Sequence, residues 1–121
     1  VRGLAQLTAL TCSGNAMGRG KLGDLSPLAG MPLELLHVSH TKVSDLSPLK
    51  GMQLTFLACS VTKVAILSPI EGMPLEELYL TSTPVADLSP LRGMPLRILY
   101  CGSTEVSNLS PLQDIPLEVF S

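Results

Sequence analysis

Tryptophan is absent from this 121-residue chain, and only two Tyr and two Phe are present. A core built on large rings is therefore excluded, and the 45% hydrophobic content must pack as stacked Leu, Ile, Val and Met. Charge is also sparse, at 15% of residues with a net value of −2. The signs are scattered, with no basic stripe for a phosphate backbone and no polybasic anchor for anionic lipid, so nucleic acid and membrane are not expected partners. No apolar run approaches the ~20 residues of a spanning helix, and no charged segment followed by an apolar one opens the chain as a leader would. The three cysteines, Cys12, Cys59 and Cys101, lack the C-x-x-C spacing of a metal site. No cofactor is expected, and no glycine loop, catalytic loop or metal-binding signature of a kinase occurs.

What the sequence has in abundance is repetition. Pro27, Pro48, Pro69, Pro90 and Pro111 fall 21 residues apart, as do Gly30, Gly51, Gly72 and Gly93. Full copies run 24–44, 45–65, 66–86 and 87–107; a partial copy occupies 108–121, and a degenerate one fills 1–23, where "AMGRGK" adds five residues before the phase resumes. The glycines and basic residues of that insertion lack the spacing and the Ser/Thr of a phosphate-binding loop. A fixed period of this length is the signature of a solenoid in one domain. Because the chain starts in mid-pattern at Val1 and stops at "PLEVFS", with Phe120 in a core phase, it is expected to be part of a longer protein.

Over one period, Leu33, Leu36, Val38, Val43, Leu46, Leu49 and Met52 are separated by polar or small residues. Around Leu36 the pattern alternates as a half-buried strand does. "SHTK" then turns the chain, and "LSPLAG" offers Ser26 as an N-cap candidate, Pro27 inside the first turn and Gly30 as a stop. Each unit thus reads strand, turn, short helical turn, turn, with strands centred near Leu10, Leu36, Leu57, Leu78 and Leu99. One unit cannot bury its own apolar side, so neighbours must stack into a parallel sheet.

The segments "LELLHVSHTKV", "LTFLACSVTKV", "LEELYLTSTPV" and "LRILYCGSTEV" resemble the leucine-rich repeat, LxxLxLxxNxL. "DLSPL" resembles the "DISPL" of internalin-type repeats and, more closely, the short repeats of planctomycete-like bacterial proteins, some of which also carry serine/threonine kinase domains. Three features depart from the family pattern: Thr41, Thr62, Thr83 and Thr104 stand where Asn is usual, the unit is 21 rather than 22 residues, and no dedicated end cap is present. The resemblance implies an α/β fold, a right-handed solenoid with its parallel sheet on the concave face and short helical or 3₁₀ turns on the convex face.

Several constellations have structural readings. The cysteines occupy the strand phase of Val38 and Leu80 and substitute for aliphatics. His37 and His40 fall on the outer face and the following turn, with no third ligand and no orienting carboxylate in phase, so they are read as solvent-facing rather than as ligands or as a base beside Ser39. Asp24, Asp45, Asp87 and Asn108 form a ladder broken by Ile66; with no glycine-rich calcium-binding nonapeptide present, their role is to accept N–H bonds at the turn into "LSP". The threonine hydroxyls are expected to bond neighbouring backbone in the same way.

The outward strand phases are free to vary. One row reads Leu35, Phe56, Glu77, Ile98, Val119 and the next His37, Ala58, Tyr79, Tyr100. Packing gives no reason for Phe, Tyr and Ile to face outward, whereas an interface centre uses such anchors. Leu35, His37, Phe56, Glu77, Tyr79, Ile98 and Tyr100 are therefore the candidate partner-binding residues for a protein or peptide ligand, rimmed by Glu34, Glu76, Arg97, Lys42, Lys63 and Glu105. The expected function is a protein-interaction module without chemistry of its own. The alternative is a structural spacer or regulatory arm of a larger protein such as a bacterial serine/threonine kinase, with the outward rings serving only to pack on one another across strands.

Overall fold

A computed structural model of the chain describes residues 9–11 and 25–120. Six short strands form one parallel sheet in sequence order: β1 (Ala9–Thr11), β2 (Leu35–His37), β3 (Phe56–Ala58), β4 (Glu77–Tyr79), β5 (Ile98–Tyr100) and β6 (Val119–Phe120). Between them lie 3₁₀ turns at Ser26–Leu28, Ser47–Leu49, Ser68–Ile70, Ser89–Leu91 and Ser110–Leu112. The register follows the repeat, with Leu10, Leu36, Leu57, Leu78, Leu99 and Phe120 in one line across the sheet. Ala9 pairs with Leu35, a spacing of 35 − 9 = 26, which is the 21-residue period plus the five extra residues; the insertion itself lies outside the described residues.

Strand alternation decides which side chains go inward. The central leucines Leu36, Leu57, Leu78 and Leu99 are fully buried, as are Leu33, Leu54, Leu75 and Leu96 just before the strands. Behind them stack Val43, Val64 and Val85, then Leu46, Leu67 and Leu88, then Leu49, Ile70 and Leu91. Met52, Met73 and Met94 close the layer beneath the glycine turns. Each row repeats the same or a closely similar apolar residue at one depth, so every coil offers its neighbour nearly the same surface to fill. Phe120 registers with Leu99 but is 47% exposed, since no described coil packs over it.

The "LSP" turn corrects one sequence expectation. The serine is not the N-cap: Ser47 is already the first residue of its 3₁₀ turn, Leu46 precedes it as the cap, and no side-chain bond is made from that cap. The acceptor lies two residues upstream of the serine, where Asp45 Oδ1 accepts the Ser47 N–H at 2.9 Å and also the Ser47 hydroxyl. Asp87 serves Ser89 identically, and Asn108 accepts the Ser110 N–H at 3.0 Å. Asp24 lies outside the described residues. These bonds hold the Asp45 and Asp87 carboxyls below the ordinary carboxylate range, the serine hydroxyl being the larger cause and the serine N–H the second. A carboxylate whose pKa is depressed by folding stabilises the fold above its unfolded pKa, about 4, and that stabilisation is lost as pH falls through the folded value. Ile66 occupies the same position without an acceptor and is 66% exposed.

Leaving each 3₁₀ turn, the chain makes a tight turn whose type depends on one residue. Lys50 has φ −57° and ψ 132°, Gly51 has φ 87°, and Met52 N–H bonds Leu49 C=O at 3.0 Å. This is a type II turn, which requires positive φ at its third residue and hence glycine. In the last copy Asp114 replaces the glycine, Gln113 shifts to φ −56° and ψ −40°, and the Ile115 N–H still reaches Leu112 C=O at 3.0 Å. Gln113 thus takes the first central conformation of a type I turn, which the non-glycine residue after it can follow.

Past each strand the threonine ladder performs its expected role. Thr41, Thr62, Thr83 and Thr104 donate their hydroxyls to the carbonyls of Val38, Cys59, Leu80 and Cys101 at 2.6–2.7 Å. The residue before each threonine takes positive φ: His40 61°, Val61 54°, Ser82 59° and Ser103 55°. Its N–H continues the inter-coil ladder, as Val61 N–H to Thr81 C=O at 2.8 Å shows, so the next coil holds the conformation in place. For β-branched Val61 this left-handed geometry is sterically costly. Two surface substitutions should therefore raise stability in urea or thermal unfolding: Val61→Asn, which tolerates positive φ, by about 1 kcal/mol, and Ile66→Asp, which restores the missing acceptor, by a smaller increment that is present above about pH 5 and lost in acid. Unchanged or lowered midpoints would contradict these assignments.

Candidate functional site: the outer face of the sheet

The strand residues flanking each central leucine point away from the core. Leu35, Phe56, Glu77, Ile98 and Val119 register in one row, and His37, Ala58, Tyr79 and Tyr100 in the next. All seven candidate residues from the sequence thus lie on this one face. Leu35, His37, Phe56, Glu77, Tyr79 and Ile98 are half-buried, and Tyr100 is 37% exposed.

The rings do not simply stack straight across the strands. Tyr79 sits directly beside Ala58 in register, and its ring leans over the diagonal to Phe56, with centroids 5.4 Å apart and planes tilted by 42°. Tyr79 and Tyr100 are direct neighbours at 5.0 Å and 51°. Both contacts lie in the range of favourable tilted pairs, worth about 0.5–1.5 kcal/mol each. The Tyr79 hydroxyl donates to Glu77 Oε1 at 3.0 Å. Partial burial, first, and then the Glu77 hydrogen bond and charge push the Tyr79 phenol above its ordinary pKa, so it stays a neutral donor.

Sequence reasoning did not identify the consequence of Ala58. In a row otherwise filled by His37, Tyr79 and Tyr100, alanine is too short to reach the surface; it is only 5% exposed. A hollow of about 180 Å³ opens above it, lined by His37, Ser39, Phe56, Ala58, Ser60 and Tyr79. Ser39 is buried, and its Oγ accepts the Ser60 N–H at 3.1 Å. The one sequence signal for this feature is a small residue in an otherwise bulky outward row.

Larger depressions lie elsewhere, about 420 Å³ between the loops 30–34 and 50–53 that lead into neighbouring strands, and about 700 Å³ beside the 3₁₀ turns around Ser47, Ser68 and Glu71. Both are open troughs between successive coils, and they gather no constellation of reactive groups. On the rim of the sheet, Arg97 and Glu118 pair at 3.1 Å while remaining about half exposed, a geometry that contributes little to stability. Among the described residues, no group of three or more His, Cys, Asp or Glu side chains could hold a metal ion.

Two of the three thiols sit where the sequence placed them. Cys59 is fully buried and Cys101 nearly so; Cys12 lies outside the described residues. Burial pushes the Cys59 thiol up to about 12 and raises that of Cys101 as well. The two occupy the same phase two coils apart, and at ~4.8 Å per strand the separation of ~10 Å exceeds the ~7 Å limit for a disulfide. A thiol-specific reagent should titrate three sulfhydryls after denaturation and few before it; a single titratable thiol in denatured, unreduced protein would overturn the placement.

No protein-family model matches the sequence, and no curated protein does. Solved structures do. The chain is similar to an internalin C2 (inlC2) from Listeria monocytogenes strain 4b F2365, with 26% identity and a TM-score of 0.87 over 98% of this chain and 53% of that one. It is likewise similar to an internalin (inlF) from the same strain, with 22% identity and a TM-score of 0.80 over 98% of this chain and 48% of that one. The chain spans about half the length of these structures.

Proposed function

We propose that this chain, a leucine-rich-repeat solenoid of the internalin-like bacterial type, is a protein-interaction module with no catalytic chemistry of its own, and that it binds a protein or peptide on the outer face of its sheet. Leucine-rich repeats generally mediate protein binding and are typically non-catalytic, which supports the coarse reading. The finer one rests on Phe56, Tyr79 and Tyr100. Three of the four aromatic side chains of the chain form a continuous ladder on a face where the fold requires no ring. Leu35, His37, Glu77 and Ile98 extend this surface along the coils. Aromatic and aliphatic anchors at the centre of a patch, with charge at its rim, match the composition of interface cores.

A second reading, a structural spacer or regulatory arm of a larger protein such as a bacterial serine/threonine kinase, is favoured by a different observation. The rings already contact one another, so part of their apolar surface is used within the sheet.

Mutation separates the two readings. With a partner captured by the immobilised chain, Tyr79→Ala and Tyr100→Ala should each weaken binding by at least ~2 kcal/mol, whereas convex-side Lys50→Ala and Arg92→Ala should cost under ~1 kcal/mol. Thermal melts must show that each variant still folds. Weaker binding by the convex pair with the tyrosine variants unaffected would reverse the assignment, and loss of stability without loss of affinity would favour the spacer.

A further inference from the structure

The hollow above Ala58 is largely apolar. Its floor is the Ala58 methyl, its walls include the Phe56 and Tyr79 rings, and no Lys, Arg, Asp or Glu lines it. Of its two serines, Ser39 is buried and its Oγ already accepts the Ser60 N–H at 3.1 Å, so that oxygen asks nothing of an occupant. At about 180 Å³ the space suits one side chain of leucine size. An apolar group gains there by leaving water, whereas a polar one would lose its hydration without replacement.

What lies beside the hollow specifies the rest of the occupant. His37, Ser39, Ala58 and Ser60, which make up most of the lining, come from the ends of β2 and β3 and the residues just after them. The hollow therefore sits toward the margin where those strands exit. Lys42 and Lys63 stand on that margin, both exposed, and the Lys63 N–H bonds Val43 C=O at 2.9 Å, which sets the two lysines at equivalent points of adjacent coils. Among the described residues neither is paired with a carboxylate, and the nearest acid along the chain, Asp45, is held by Ser47. In the next two coils the same position carries Pro84 and Glu105, so the two cations are confined to the coils that supply most of the hollow. Side by side, they repel. Val61, which follows Ser60, is 45% exposed at φ 54°, a costly conformation for a β-branched residue. Both features disfavour the chain on its own, and costs of this kind collect where a surface is used.

From this juxtaposition, and resting on the reading that the outer face binds a protein or peptide, we propose that the hollow anchors an apolar side chain of leucine size within an acidic segment of the partner, whose carboxylates lie against Lys42 and Lys63. The anchor covers the Ala58 methyl and the flanking rings, and the exposed Val61 side chain extends the apolar contact toward the lysines. The carboxylates relieve the repulsion between the two cations and set the direction of the segment across the face. A basic segment would meet Lys42 and Lys63 with like charge. A segment without an apolar anchor would leave the hollow to water. Glu34, Glu76 and Glu77, on the margin where the strands begin, repel the same acidic segment and so hold it to the strand-exit side.

The test titrates acetylated, amidated pentapeptides into the isotopically labelled chain and follows them by NMR. The reference peptide is Glu-Glu-Leu-Glu-Glu; its controls carry Gln at all flanking positions, Lys at all flanking positions, or Ser in place of Leu. The reference should shift the Ala58, Ser60 and Lys63 amides and the Tyr79 ring saturably, about fivefold more tightly than the glutamine control, with a preference that falls as salt is raised. The lysine control should bind more weakly than the glutamine one, and the serine control should leave Ala58 and the Tyr79 ring unshifted. Ala58→Leu, which fills the hollow, should abolish the leucine-dependent shifts. Lys42→Gln combined with Lys63→Gln, which leaves the core untouched, should erase the acidic preference and leave the glutamine control's affinity unchanged. Equal binding of the serine and leucine peptides, equal or tighter binding of the glutamine or lysine control, or an absence of localised, saturable shifts with every peptide would each overturn the proposal. The Tyr79, Tyr100, Lys50 and Arg92 variants described above decide separately whether the outer face binds a partner at all.

Discussion

Every feature of this fold depends on one constraint: a single 21-residue coil cannot cover its own leucines. Leu36 is dry because Leu57 lies beside it, and Leu57 because Leu78 does. Stability in such an array is a sum of contacts between nearest neighbours, so each coil must present the same depth, the same register and the same turn as the last. Removing one of these leucines, as in a change to alanine, is expected to cost about 2–5 kcal/mol and to weaken both of the interfaces that meet there. The strictness of the repeat is the chemical record of that demand.

The polar ladders serve the same constraint. A coil that turns three times in 21 residues leaves many backbone groups outside regular pairing, and those groups are costly if buried unbonded. Threonine hydroxyls bond the carbonyls at the strand exits, Asp and Asn bond the N–H groups entering the 3₁₀ turns, and inter-coil bonds such as Thr55 N–H to Glu34 C=O at 2.7 Å tie each strand start to its neighbour. With the backbone satisfied in this way, the outward side chains contribute to the fold only through contacts with one another, such as the Phe56–Tyr79 and Tyr79–Tyr100 ring pairs. The rows from Leu35 to Val119 and from His37 to Tyr100 are thus open to selection for recognition, and it is there that the rings and the hollow occur.

Much of this was legible in the sequence because period and phase translate directly into register. The strand centres, the parallel order, the buried thiols, the threonine bonds and the membership of the outer face all follow from counting. What escaped counting was local geometry. "LSP" reads equally well with serine as the cap or inside the turn, and only the Asp45 contact two residues upstream distinguishes them. The left-handed conformation of Val61 contradicts its own β-branched preference and is imposed by the neighbouring coils. Gln113 and Asp114 redirect a turn that four glycines make differently. The hollow above Ala58 is a property of three strands together, since it needs both a short side chain and the diagonal lean of Tyr79 toward Phe56.

The division of labour between inner and outer rows is the central claim, and denaturant unfolding of a single multiple variant tests it most directly. Leu35, His37, Phe56, Tyr79, Ile98 and Tyr100 would all be replaced by threonine, leaving every buried row intact. The account predicts one cooperative transition with an m-value close to that of the parent chain, because the surface exposed on unfolding is dominated by the inner rows. The midpoint should fall only by the small contribution of the ring pairs. A broad transition, or an m-value well below the parent's, would show that the outer rows belong to the folding core and would contradict the account.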